Sequence, residues 1–164
     1  MTSNQLGSKN AKKLMKYKIL IVDDQPINVQ LLKRKLEREG IRVTAAYNGL
    51  EALDAVKKSP PDLILLDVWL PGLDGLATLS RLRERQVDAQ VVLISGHGNI
   101  ETAVQATKLG AFDFIEKPFS IDALLSVVGR ALEQRSRLEF EGGRQLAARR
   151  DLEDALAVLE DIAA

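Results

Sequence analysis

Five residues of this sequence have side chains that could do chemistry together: Asp23, Asp24, Asp67, Ser95 and Lys117. Asp23 and Asp24 follow the apolar run ILIV, and Asp67 ends DLILLD. Ser95 ends AQVVLIS, and Lys117 closes AFDFIEK just ahead of Pro118. Each therefore stands at the C-terminal end of a short apolar segment. Three carboxylates about 4 Å apart would repel by about 4 kcal/mol per pair at an effective dielectric near 20. One lysine cannot cancel three negative charges. A hard divalent cation with oxygen ligands can, and Mg²⁺ suits the set because it takes few protein oxygens, keeps waters and shares a phosphate. The chemistry that fits is phosphoryl transfer to a carboxylate, which needs an oxygen nucleophile, a metal on the phosphoryl oxygens and further donors. Asp67 would be the nucleophile and would become an aspartyl phosphate. Asp23, Asp24 and the backbone carbonyl of Trp69 would hold Mg²⁺. Ser95 would donate to one phosphoryl oxygen, and Lys117 would pair with another.

Each residue alone has an ordinary explanation. Asp24 could cap a helix, Asp67 could form a strand-end turn, Ser95 could bond within a loop, and Lys117 could be a solvated charge. Phe114 in an alternating segment suits a core. His97, the sole histidine, sits between two glycines and reads as polar surface with no catalytic role. The ordinary explanations fail jointly for the acids, Ser95 and Lys117, because complementary chemistry falls at four segment ends.

The elements that must position these residues alternate. YKILIV (17–22), IRVTAA (41–46), DLILLD (62–67), AQVVLIS (89–95) and AFDFIEK (111–117) read as strands. Between and after them, residues 26–40, 48–59, 74–85, 99–110 and 120–140 read as helices. In the first helix Pro26 suits the opening turn, Ile27, Leu31, Leu32 and Leu36 form the expected apolar stripe, and Gly40 ends it. Such alternation predicts βαβ crossovers and a parallel sheet covered on both faces. Right-handed crossovers bring every strand's C-terminal end to one rim, where open sheets of this kind bind ligands. The second strand brings no ionisable group there, as expected of a strand at the sheet's margin.

Composition narrows the partners. The 164 residues include 23 basic and 23 acidic side chains, so the balance leaves no electrostatic footprint for nucleic acid. There is no cysteine, which excludes disulfides and thiolate metal sites and accords with a reducing cytosol. No apolar stretch approaches the roughly 18–20 residues needed to cross a bilayer. Residues 1–16 read as a polar, basic, mobile leader.

The segments ILIVDDQ, LILLDVWLPGLDG, VVLISGHG and FDFIEKPF resemble, in order and spacing, the markers of the response-regulator receiver domain of bacterial two-component systems. The stretch ISGHGNIETAVQATKLGAFDFIEKPF is similar to receivers of nitrogen-regulation-type activators, which work with sigma-54 polymerase. The resemblance implies a flavodoxin-like, doubly wound (βα)5 fold: a five-stranded parallel sheet of order 2-1-3-4-5 with a C-terminal helical extension. It implies Mg²⁺-dependent phosphorylation of Asp67 by a sensor histidine kinase or a small phosphodonor, and a cis Lys117–Pro118 peptide. It also implies a switch through Ser95 and Phe114 that acts on the surface of the fourth helix, fifth strand and fifth helix. That surface would control dimerisation or an output partner in transcription regulation. Many relatives have tyrosine where Phe114 stands, so a hydroxyl bond cannot serve the switch here. A receiver is not an enzyme in the ordinary sense; it catalyses only its own phosphorylation and dephosphorylation, in the cytoplasm.

The expected organisation is a leader (1–16), a receiver (17–135) and a helical tail (136–164). An aspartate-nucleophile phosphohydrolase is the alternative. It would need a DxD after the first strand and an acid two residues past the nucleophile, where this chain has DDQ and Trp69. A flavin-binding module would need a phosphate loop, and DDQPIN would repel phosphate. The chain carries neither a GxxxxGK[ST] loop nor a helix-turn-helix. The receiver is thus expected either as a piece of a larger regulator or as a single-domain regulator acting through protein contacts. Gly142-Gly143 is expected to interrupt the last helix. Beyond it Ala148, Leu152, Ala155, Leu156, Leu159 and Ala163 form a stripe, on a helix whose end charges oppose its dipole: Arg144, Arg149 and Arg150 open it, and Glu160 and Asp161 close it. Such a helix is marginal alone, and a homodimer is its expected partner.

Overall fold

The computed structural model describes the backbone of residues 17–96 and 99–163, and the side chains of 17–96, 99–138 and 153–159. The leader 1–16 and His97 lie outside the described residues.

Five strands form one parallel sheet: β1 (Lys18–Val22), β2 (Arg42–Ala46), β3 (Leu63–Asp67), β4 (Gln90–Ser95) and β5 (Asp113–Glu116). Their order is β2-β1-β3-β4-β5, as expected. The helices are α1 (Pro26–Arg38), α2 (Gly49–Lys58), α3 (Gly75–Glu84), α4 (Ile100–Lys108) and α5 (Ile121–Ala163). Compact units divide between Leu132 and Glu133.

Strand side chains alternate between faces, so near-continuous apolar runs supply two cores at once. Ile19, Ile21, Leu63, Leu65, Val92 and Ile94 pack with Val29 and Leu36 of α1 and with Leu124, Val128 and Leu132 of α5. Leu20, Val22, Ile64, Leu66, Val91 and Leu93 pack on the other face with α2, α3 and Ala106 of α4. Four of the helices start on side-chain caps, and in α5 it is Ser120, whose Oγ accepts from the Ala123 amide at 3.1 Å. Asn48 accepts from the Glu51 amide, Asp74 from Ala77 and Asn99 from Thr102, each at 2.8 Å, and each cap is worth about 1 kcal/mol. α1 has no side-chain cap and begins on Pro26, whose missing N–H needs no partner there. Gly40 and Gly110 follow the ends of α1 and α4 with φ of 84° and 86°, where a side chain would be strained.

Two expectations require correction. The apolar stripe of α1 pools two faces. Ile27 and Leu31 are 69% and 52% exposed, while Val29 and Leu36 are buried and Leu32 is partly buried. At about 100° per residue, Ile27 and Leu31 stand nearly opposite Val29, and the sheet can take only one side. Second, α5 runs unbroken through Gly142 and Gly143 to Ala163. Each glycine costs a helix about 1 kcal/mol relative to alanine but keeps its N–H, so the ladder of bonds can continue through both.

Candidate functional site

The sheet order puts β1, β3 and β4 side by side, so their C-terminal ends form one rim. Asp67 ends β3 beside Ile94 of β4, and the Val68 amide donates to the Ile94 carbonyl at 2.9 Å. β5 stops at Glu116, short of the expected 117. Lys117 therefore stands just past the strand, and its amide donates to the Ser95 carbonyl at 2.7 Å. The Lys117–Pro118 peptide is cis, as expected.

The side chains converge. Lys117 Nζ lies 3.1 Å from Asp67 Oδ2 and 3.6 Å from Asp23 Oδ2. One carboxylate oxygen from each of Asp23, Asp24 and Asp67 lies within 4.8 Å of the others. Asp23 and Asp67 are buried, whereas Asp24 is exposed. Asp23 is fixed on both oxygens: Oδ1 accepts from the Gln25 amide at 2.9 Å and Oδ2 from Asn28 Nδ2 at 3.3 Å. Asp24 does not cap α1, since the capping position is Gln25. The Trp69 amide donates to Asp67 Oδ1 at 3.1 Å, which holds that residue at the rim. A cavity of about 560 Å³ opens here, lined by Asp24, Gln25, Asp67, Trp69, Gly96 and Lys117.

The charges are not balanced. Burial pushes the Asp67 carboxyl above its ordinary value of 3.8, reinforced by the nearby Asp23, although Lys117 and the Trp69 amide pull the other way. Burial would lower Lys117, but its bond to Asp67 and the charges of Asp67 and Asp23 outweigh this and raise it. The ammonium is thus held firmly charged, and the carboxylate still lacks positive charge. A donor set made wholly of carboxylate oxygens, with charge left over, fits a hard divalent cation.

Ser95 is fully buried and precedes Gly96 of the cavity wall. It pairs with Glu116 in the sheet register, as Leu93 does with Phe114, so Ser95 and Phe114 share one face of the sheet. Phe114 is partly buried against the core on that face. The structure thus gathers Asp23, Asp24, Asp67, Trp69 and Lys117, with Ser95 beside them, and places Phe114 two residues further down the sheet. Asn28 was missed in the sequence. A polar residue one helical turn past the acid pair was its only signal. Gln25 was missed as well, because its contribution to Asp23 is a backbone amide that any residue but proline could supply.

The response regulator receiver domain family matches residues 19–129. The nitrogen assimilation regulatory protein NtrX of Azorhizobium caulinodans is 43% identical over 153 residues, which cover 92% of this chain and 34% of that protein. The C4-dicarboxylate transport transcriptional regulatory protein DctD of Pseudomonas aeruginosa is 42% identical over 123 residues, 75% of this chain and 26% of that protein. The chain thus spans about a third or less of these relatives. The crystal structure of the receiver domain of NtrX from Brucella abortus superposes with a TM-score of 0.66 at 48% identity, covering 70% of this chain and 98% of that one.

Proposed function

This chain belongs to the response regulator receiver domain family, and on that premise we propose that Asp67 is its phosphoacceptor. The observation that carries the proposal is the 3.1 Å pair between Lys117 Nζ and Asp67 Oδ2, with two further carboxylates within 4.8 Å. A lysine so placed can follow the charge from a carboxylate to the phosphoryl group attached to it. No observation favours the phosphohydrolase alternative.

The step is a displacement at phosphorus. A carboxylate oxygen of Asp67 forms the new P–O bond as the donor's bond to phosphorus breaks. With a phosphohistidine donor from a sensor kinase, the imidazole nitrogen leaves and takes up a proton. Forming the acyl phosphate removes the charge from Asp67, so Lys117 pairs next with a phosphoryl oxygen. The Trp69 amide keeps Asp67 in place while the bond forms. Asp23, Asp24, Asp67 and the Trp69 carbonyl would hold Mg²⁺, which supplies positive charge to the phosphoryl oxygens. The Gln25 amide and Asn28 hold Asp23 in position for it. Ser95 would donate its hydroxyl to the phosphoryl group, and the space it leaves would lie on the face that Phe114 shares. Through that pair the phosphoryl group would alter the surface of α4, β5 and α5.

On this reading the receiver spans 17–135 and the tail 136–164. The chain works in the cytoplasm, catalyses only its own phosphorylation and dephosphorylation, and makes no contact with nucleic acid. The whole regulator acts in transcription. The similarity to DctD, which is a transcriptional regulatory protein, supports that context. Intact-mass measurement after incubation with acetyl phosphate tests the reading. One phosphoryl group should add with Mg²⁺ and almost none with chelator present. Equal addition in both conditions would reject the role of the cation.

A further inference from the structure

The connection between β3 and α3 carries Trp69 and is gripped at two points. At one, the Gly75 amide donates to the Val68 carbonyl at 2.9 Å. A Cβ on Gly75 would overlap the Asp67 carbonyl oxygen and lie 2.7 Å from Val68 Cα. The other grip comes from α2. A Cβ on Gly49 would overlap Thr78 Oγ1 and lie 2.7 Å from the Leu73 carbonyl oxygen and 3.1 Å from Leu73 Cβ. Neither neighbour can step aside. The Leu73 oxygen is backbone, and Thr78 is fully buried with its hydroxyl donating to the Asp74 carbonyl at 2.7 Å. A side chain at Gly49 must therefore move the whole connection.

The other wall of the site hangs from the same place. The Asp23 amide donates to the Ala46 carbonyl, at the end of β2 just before α2, at 3.2 Å. The acid pair and the Trp69 connection are thus both referenced to the stretch from Ala46 to Gly49. We infer that Gly49 and Thr78 are positioning residues for the cation site: they seat the β3–α3 connection against the first turn of α2 and so set where Trp69 stands relative to Asp67 and Asp23. The inference rests on the reading that Trp69 and the three acids hold Mg²⁺. It adds two residues that touch neither cation nor phosphate.

The test is a Mg²⁺ titration followed by Trp69 emission, with urea unfolding of the same samples without cation. Gly49→Ala should weaken Mg²⁺ binding about tenfold, the loss typical of a disturbed supporting shell. Thr78→Ala removes the hydroxyl that bonds the Asp74 carbonyl and should weaken Mg²⁺ binding too, whereas Thr78→Ser, which keeps that hydroxyl, should bind as the native chain does. Native-like binding by Thr78→Ala overturns the inference even where Gly49→Ala fails to fold. Ala52→Gly, buried in α2 three residues past Gly49, removes a methyl group and adds no clash, so it should lower stability and leave Mg²⁺ affinity unchanged. If the native chain binds Mg²⁺ and Gly49→Ala binds it equally well, the inference is overturned. The same holds if Ala52→Gly weakens binding as much as Gly49→Ala. A native chain that binds no Mg²⁺ would overturn the cation reading itself, and the inference with it.

Discussion

At the scale of residues, the site is built around an unfavourable charge. Asp67 is buried beside Asp23, and burial first, then that neighbour, push its carboxyl upward against the pull of Lys117. As pH rises through the ordinary carboxylate range, the unfolded chain releases this proton before the folded chain does. Above the folded value both are ionised, and the folded state bears the full cost. Asp67→Asn should therefore be more stable than the native chain at neutral pH without cation. The advantage should shrink to nothing below the ordinary carboxylate range, as urea unfolding across pH can read. Mg²⁺ should reverse the ranking: at about 100 times its dissociation constant it should stabilise the native chain by about 2.7 kcal/mol and the Asn variant by far less. Trp69 gives a second readout. It is 64% exposed on the cavity wall, so Mg²⁺ should change its emission. The change should vanish when Asp23 and Asp24 are replaced by Asn and Ala. Unaltered emission, with binding established by calorimetry, would place Trp69 outside the cation's surroundings.

At the scale of elements, the switch is a claim about β4, β5 and α4. Ser95 and Phe114 lie on one face of neighbouring strands, two residues apart in register. A phosphoryl group that draws the Ser95 hydroxyl inward leaves room that Phe114 can take. Hydrogen exchange should accordingly change most across residues 95–120 on phosphorylation, and equal protection in both states over that span would dismiss the switch. The elements themselves were largely legible, because short apolar runs such as ILIV and LILL alternate with longer amphipathic segments, and Pro26 and Gly40 mark where the first helix opens and ends. That was enough to bring Asp23, Asp67, Ser95 and Lys117 to one rim. Three things were not legible. The stripe of α1 was misjudged, since Ile27 and Leu31 have helical spacing of their own and only the sheet decides which side is buried. The unbroken α5 was missed because glycine weakens a helix without breaking its bonds. The contact between Gly49 and Thr78 joins residues far apart in the chain, and no local pattern announces it.

At the scale of the whole molecule, the tail poses the next question. α5 continues to Ala163, and Leu156 and Leu159, which share one face of it at three-residue spacing, are both more than half exposed in this single chain. A helical face of that kind suits a second copy, and the full chain should sediment as a dimer while one ending at Glu141 sediments as a monomer. Equal masses in solution, with and without phosphodonor, would remove the tail from the account of assembly. Everything else depends on where the phosphoryl group sits. Borohydride reduces an acyl phosphate to an alcohol and leaves phosphohistidine and free carboxylates untouched. Peptide mass mapping after phosphorylation and reduction should find homoserine at position 67 and nowhere else. Homoserine at 23 or 24 instead, or a phosphoryl group that survives reduction on His97 with Asp67 unchanged, would contradict the assignment.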